Sequence, residues 1–264
     1  MSAFSEWYKD KVVLVTGGTS GIGRQMVIRL CQWGAEVIVC GRDASRLDSL
    51  KADLSSKGHK LAASFLLDLT DVQQLQSMIK DIKQSYELDV LINNAGSGHV
   101  GDFDKMTNES REYLEKLNMQ VVTILISSFF DRFKEKEGRG ILNVGSVASF
   151  FPTPGSALYC GTKHFILGLT DSLHLELAPD HVHVTGVYPG KTHSRFVERA
   201  TGGAEGEWKK AMDAGVVAER ALRSLSENKA REIPGINNKV IVFIAKLLPT
   251  RLLFKLMAKR NVQK

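Results

Sequence analysis

Short apolar runs recur along this chain, and the stretches between them bring apolar residues back at helical spacing. The runs are Val12–Thr16, Glu36–Gly41, 62–67, 90–93, Gly140–Val144 and His183–Val187, with a shorter last one at 231–233. Runs of this length read as buried strands, and the periodic stretches between them as amphipathic helices. Strand and helix in alternation predict an α/β fold, a parallel sheet with helices packed on both faces.

No repeat, low-complexity tract or Gly/Ser linker divides the chain. Its 264 residues, 43% of them hydrophobic, suit one domain with a sizeable core. We place the main unit at 1–238 and a C-terminal extension, apolar and basic together, at 239–264. Lys246 and Pro249 interrupt the extension well before the ~20 apolar residues that span a bilayer. Two readings of it compete. One is an amphipathic tail lying peripherally on an anionic membrane; the other is an apolar flap packed on the body or on a partner subunit.

The net charge of +6 comes without a reader motif or a basic stripe interleaved with aromatics, so no nucleic-acid partner is expected. Cys31, Cys40 and Cys160 show neither disulfide nor zinc spacing and fit a reducing compartment. His181 and His183 are not at a metal-ligand spacing for a helix, and no metal site is expected. Residues 1–10 carry acidic side chains and no apolar stretch, which does not read as a secretory signal. The expected location is cytoplasmic, with the membrane contact of the extension left open.

Candidate chemistry begins after the first run, at Thr16-Gly17-Gly18-Thr19-Ser20-Gly21-Ile22-Gly23. Strand, glycine turn and helix in that order suit a dinucleotide: glycines let a pyrophosphate approach the backbone, and a helix opening at Gly21 aims free N–H groups at it. A plain glycine turn is the bland alternative. The second run ends in Gly41-Arg42, where an NAD site would carry an acidic residue for the ribose hydroxyl. Arg42 suits a 2′-phosphate instead, which favours NADP(H). Asp43 reads as a helix start before 44–54. Further on, Tyr159 and Lys163 stand four apart and so share a helix face. An ammonium beside a phenol lowers its pKa from ~10 toward a useful range for proton exchange. By chance, the same spacing marks an exposed helix face.

Together these motifs resemble the short-chain dehydrogenase/reductase family, in its single-domain branch. The likeness runs from Lys11 to Gly190 and more loosely to Lys239. It rests on TGGTSGIG, Asp68 in LLDLTD, Asn93-Asn94-Ala95-Gly96, Asn118, Ser146, Tyr159 with Lys163, and Pro189-Gly190. It implies a Rossmann-type doubly wound sheet with NADP(H) held by Gly17, Thr19, Ser20, Gly21, Ile22, Gly23, Arg42, Asp68, Leu69, Asn94, Ala95, Gly96, Tyr159, Lys163, Pro189, Gly190 and Thr192. Asp68 would hold the adenine amino group. Tyr159 would be the general acid in carbonyl reduction, Lys163 would bind the nicotinamide ribose and lower the tyrosine pKa, and Ser146 would hydrogen-bond the substrate oxygen. Asn118 would support a proton path through Lys163. Read alone, Ser146 is equally a strand-end turn residue and Asn118 a locally bonded helix residue. One departure from the family follows Pro189-Gly190. Here the chain reads Lys191-Thr192-His193-Ser194, with Thr192 where an apolar residue is usual and Ser194 in place of threonine.

The implied activity is interconversion of a carbonyl and an alcohol, on an apolar or lipid-like substrate. A 3-oxoacyl thioester reductase or a hydroxysteroid or retinol dehydrogenase are alternatives, and an NADPH-binding sensor or scaffold is the non-enzyme reading. Family members self-associate, so a homodimer or homotetramer is expected. Substrate choice should reside in 97–102, 147–157 and 191–208. Phe150, Phe151, Pro152 and Pro154 give the second segment either an apolar wall for substrate or a face buried under a neighbouring loop. Gly202, Gly203 and Gly206 suit a movable lid in the third.

Overall fold

The computed structural model describes residues 2–192 and 211–261. Among them, seven parallel strands form one sheet in the order β3-β2-β1-β4-β5-β6-β7. These are β1 (Val12–Thr16), β2 (Glu36–Gly41), β3 (Ala63–Leu66), β4 (Leu88–Asn93), β5 (Gly140–Val144), β6 (His183–Val187) and β7 (Arg231–Glu232). The doubly wound α/β prediction therefore holds, with small changes at strand ends. β3 is trimmed at both ends, and β4 starts earlier because Leu88 pairs with Val12 across an irregularity in register.

The strand order reverses between β1 and β4, so a crevice opens beyond the carboxyl ends of this neighbouring pair. One face of the sheet is covered by α2 (Gly21–Gln32), α3 (Ala44–Ser56) and α8 (Ala214–Ser226), which follow the short α1 (Ala3–Glu6) in the chain and bury Met26, Leu50 and Leu222. On the other face lie α4 (Val72–Ser85), α6 (Val121–Lys134) and α7 (Ala157–Glu176), burying Met78, Phe129 and Ile166. Asp43 caps α3 as expected, its carboxylate accepting from Arg46 N at 3.1 Å.

Between α5 (Asn108–Glu115) and α6 the chain does not break; it widens into a π-turn over Lys116–Gln120. Such turns inside a helix re-aim one side chain, and here Asn118 lies in the middle. The C-terminal extension forms α9 (Ile236–Leu247), which crosses the expected division at 238/239, and α10 (Thr250–Asn261). Val242 and Ala245 pack with Phe151, so the extension does lie against the body. No helix among the described residues is long and apolar enough to cross a membrane.

Candidate active site

At the end of β1 the chain must turn at once. Gly17 does so at φ +62°, where a side chain would also put its Cβ 2.9 Å from Ala95 Cα. Gly23 is forced by space instead, since a Cβ there would lie 2.3 Å from Asn94 Nδ2. Asn94 is the brace of this turn: its amide donates to Thr16 O at 2.9 Å and Gly17 O at 3.1 Å. Thr16 completes the link, its hydroxyl accepting from Asn94 N and Ala95 N at 3.0 Å each and donating to Ile92 O. Thr16 had no special signal in the sequence beyond opening the glycine motif.

Helix α2 then opens with Ser20 at its N-cap position but without a side-chain cap, and no acidic residue stands in its first turn. By contrast α3, α4 and α8 are each capped by an aspartate. N–H groups left open at a helix start in the crevice fit an anionic pyrophosphate, and thus the dinucleotide that the sequence implies. Thr19 is buried behind the end of β2, where a Cβ on Gly41 would come within 2.8 Å of its methyl group and 2.9 Å of its hydroxyl. An acidic residue at 41 would collide with Thr19. Arg42 lies next to it, donating to the Tyr113 hydroxyl with its guanidinium 5.5 Å from the ring centroid. After β3, Asp68 Oδ1 is held by Thr70 N at 2.9 Å and Thr70 Oγ1 at 2.8 Å, and Leu69 is buried beside it.

Beyond β5, Gly145 is required because a Cβ there would enter the Tyr188 ring at 2.4 Å. Ser146 N-caps the 3-10 turn Val147–Ser149, its hydroxyl accepting from Ala148 N at 3.1 Å. The same hydroxyl is hydrogen-bonded to Tyr159. Ser146 is therefore a turn residue, as read, and it also faces Tyr159. On α7, one turn after Tyr159, Lys163 is buried with its Nζ 5.8 Å from the phenol ring centroid. Its ammonium donates to Val144 O at 2.9 Å.

Asn118 is not locally bonded. Its Oδ1 accepts from Ser97 N at 2.9 Å, and its Nδ2 donates to Ser97 O at 2.9 Å and to Thr162 Oγ1 at 3.0 Å. A Cβ on Gly96 would lie 3.3 Å from Asn118 Oδ1 and 3.6 Å from Lys163 Nζ, so amide and ammonium both approach the open side of that glycine. Thr162, which holds Asn118 and bonds back to Tyr159 O at 2.8 Å, escaped the sequence reading. Its position between tyrosine and lysine was the available signal.

The electrostatics correct one expectation. Tyr159 is pushed up to about 12 rather than lowered; burial is the main cause, and the Ser146 hydrogen bond pulls the other way. Burial also lowers Lys163 to about 8. At about 12 the phenol keeps its proton, and Lys163 donates one N–H to the strand carbonyl Val144 O.

Pro189 and Gly190 close the site at the end of β6. Pro189 O accepts from Val147 N at 3.0 Å, joining this loop to the Ser146 turn. A Cβ on Gly190 would lie 2.5 Å from Asn238 Oδ1, so the α9 start packs directly on it. Thr192 is buried, pairs with Met212 in an isolated parallel bridge and donates to Gly190 O at 3.1 Å. Ser194 and the glycines expected to form a lid lie outside the described residues. The rim segments 97–102 and 147–157 meet through Gly101 N and Gly155 O at 2.8 Å. Phe151 does not wall a substrate site; it is buried against α9. Val100, Pro152, Pro154 and Ala157 are the exposed apolar residues of these two segments.

The sequence model of the short chain dehydrogenase family matches residues 11–203. A sulfoacetaldehyde reductase of Chromohalobacter salexigens is 32% identical over 202 residues, covering 73% of this chain and 77% of the relative. A 3alpha-hydroxysteroid dehydrogenase of Mediterraneibacter gnavus is 32% identical over 192 residues, 72% of this chain and 76% of the relative. Among solved structures, a short-chain dehydrogenase from Sphingobium yanoikuyae in complex with NADPH superposes with a TM-score of 0.80. It is 29% identical and covers 91% of this chain and 97% of its own. With a parallel sheet in family order and a tyrosine, serine and lysine gathered beyond its strand ends, this chain belongs to the short-chain dehydrogenase/reductase family of oxidoreductases.

Proposed function

We propose that the protein is an NADP(H)-dependent oxidoreductase that reduces a carbonyl to an alcohol, or the reverse, with Tyr159 as general acid/base. The observation that carries this is the Ser146–Tyr159 hydrogen bond with the Lys163 ammonium one helical turn away. When bound, the nicotinamide supplies or accepts the hydride. Tyr159 holds the proton that a reduced carbonyl oxygen needs; at about 12 it remains a phenol throughout the physiological range. The Ser146 hydroxyl sits beside that phenol and can donate to the same substrate oxygen, orienting it toward Tyr159. Lys163, a cation below about pH 8, favours the phenolate left after proton transfer. Asn118 positions the Ser97 backbone and, through Thr162, the turn of α7 that carries both groups.

Preference for NADP(H) rests on Gly41-Arg42. Thr19 fills the space an acidic side chain would need, and Arg42 offers a cation for a phosphate. Pyrophosphate would lie on Gly17, Thr19, Ser20, Gly21, Ile22 and Gly23, and adenine at Asp68 and Leu69. Asn94, Ala95 and Gly96 would line the adenosine side, with Pro189, Gly190 and Thr192 near the nicotinamide. An apolar substrate is favoured by Val100, Pro152 and Pro154 at the rim. Two relatives of equal identity, one named for a small sulfonated aldehyde and the other for a steroid, leave that choice to the rim. The protein is further proposed to work as a homo-oligomer.

The test follows NADPH oxidation against short ketones, 3-oxoacyl thioesters of increasing length, oxosteroids and retinal, with Tyr159→Phe as control. Rates that rise with apolar length, and fall at least ~100-fold in the variant while NADPH binding persists, support the reading. NADPH binding without turnover on any carbonyl would replace it with a sensor or scaffold.

A further inference from the structure

Helix α9 is attached to the body by one side. Val242 and Ala245 are buried there, and Asn238 sits on Gly190. At ~100° per residue, Ile236, Val240, Phe243, Ile244 and Leu247 fall within an arc of about 100° on the opposite side. Ile236, Phe243 and Leu247 are 71%, 62% and 67% exposed. A helix packed on a body normally turns polar residues outward. This one is apolar on the outer face as well. Lys239 and Lys246 lie along the edge between the two faces. On helix α10, Leu253 and Met257 turn to the same cluster as Phe151, Leu252 and Leu256 are exposed along its flank, and at ~100° per residue Arg251 and Lys255 fall on its outer side.

Charge decides between the occupants of this face. After Glu232 the chain has no Asp or Glu and seven Lys or Arg, and the residues before that point carry 28 basic against 29 acidic. All of the net positive charge thus belongs to the extension. A second copy meeting this face about a two-fold axis would bring two sets of cations together without a carboxylate from either extension. An anionic bilayer supplies an apolar layer for the outer arc and negative headgroups for the flanking cations.

We propose that α9 and α10 form an interfacial anchor that docks the protein on an anionic phospholipid surface, with Phe243 and Leu247 inserted and Lys239, Arg251 and Lys255 at the headgroups, while the Lys246 ammonium stays over the Phe150 ring at 5.1 Å. The anchor touches Phe150 and Phe151, which directly follow the Ser146 turn, so docking holds that side of the site against the membrane. The anchor itself does not depend on the proposed reductase activity.

The experiment is flotation of the full chain with phosphatidylcholine vesicles containing a quarter phosphatidylglycerol, and with pure phosphatidylcholine, at low and high salt. The expected result is binding to the anionic vesicles that falls at least tenfold in pure phosphatidylcholine and at high salt. F243E/L247E, altered only on the exposed arc, should lose binding while its thermal melt and its NADPH turnover or binding stay unchanged. K239S/K255S should weaken binding and flatten its salt dependence. A wild type that stays unbound to all vesicles overturns the proposal. So does light scattering in which F243E/L247E converts an oligomer into a monomer while vesicle binding is unaltered, which would assign the face to a second copy.

Discussion

Lys163→Met should make the protein more stable at neutral pH while ending turnover. Burial alone takes the ammonium from its ordinary 10.5 to about 8. Each pH unit of that difference is worth ~1.4 kcal/mol, so keeping the charge inside the folded chain costs about 3 kcal/mol at pH 7. Methionine also removes the hydrogen bond to Val144 O, worth about 1 kcal/mol. The net expectation is a gain of about 2 kcal/mol, or several degrees in Tm for a chain of this size. The pH dependence separates this from ordinary repacking. Because the folded pKa lies below the unfolded one, the unfolded chain binds more protons between about pH 8 and 10.5. The wild type therefore gains stability as pH rises through that window. By pH 9.5 about 2 kcal/mol of the cost should be gone, and the two proteins should unfold at nearly the same urea concentration. Paired urea titrations at pH 7 and 9.5 measure this. A variant less stable than wild type at pH 7, or a gap that does not change with pH, would refute the argument that an unrelieved charge is stored at this position.

Other outcomes follow from the cofactor end of the crevice and its floor. Arg42→Ala should weaken NADPH binding about 10- to 100-fold and leave NADH binding nearly unchanged, as loss of a charge-assisted phosphate contact requires; fluorescence titration of both nucleotides checks it. Gly41→Asp should lower stability by about 1–3 kcal/mol through its collision with Thr19, without creating an NADH-specific enzyme. Thr19→Ala, which removes both colliding atoms, should restore the melting temperature of the double variant. Gly190→Ala should destabilise by driving a methyl into the Asn238 amide, and Asn238→Ala should absorb much of that loss. A double-mutant cycle with coupling under ~0.5 kcal/mol would show that the two do not press on each other.

Much of this protein was legible before any coordinates. The strand at Val12–Thr16, the glycine turn and the helix after it are local events, written in a run of β-branched residues followed by residues that only a tight turn explains. The same holds for Asp43, whose cap needs only its neighbours. Tyr159 and Lys163 share a helix face by period alone.

What tertiary structure decided is everything that depends on which distant residues meet. That Asn118 reaches Ser97 and Thr162 requires a π-turn, and no periodicity signals one. That Gly41 is forced by Thr19, and Gly190 by Asn238, could not be read from glycines that look free to be anything small. The Tyr159 pKa moved opposite to expectation because burial of the phenol outweighed the Ser146 hydrogen bond, and burial belongs to the packed chain. Phe151 shows the same limit. Its apolar character was evident, but whether it faced a substrate or a helix depended on where α9 came to rest. Sequence sets periodicity, turns and chemical capacity because those act over a few residues; desolvation, close contact and the choice of burial partner are settled only when remote segments pack together.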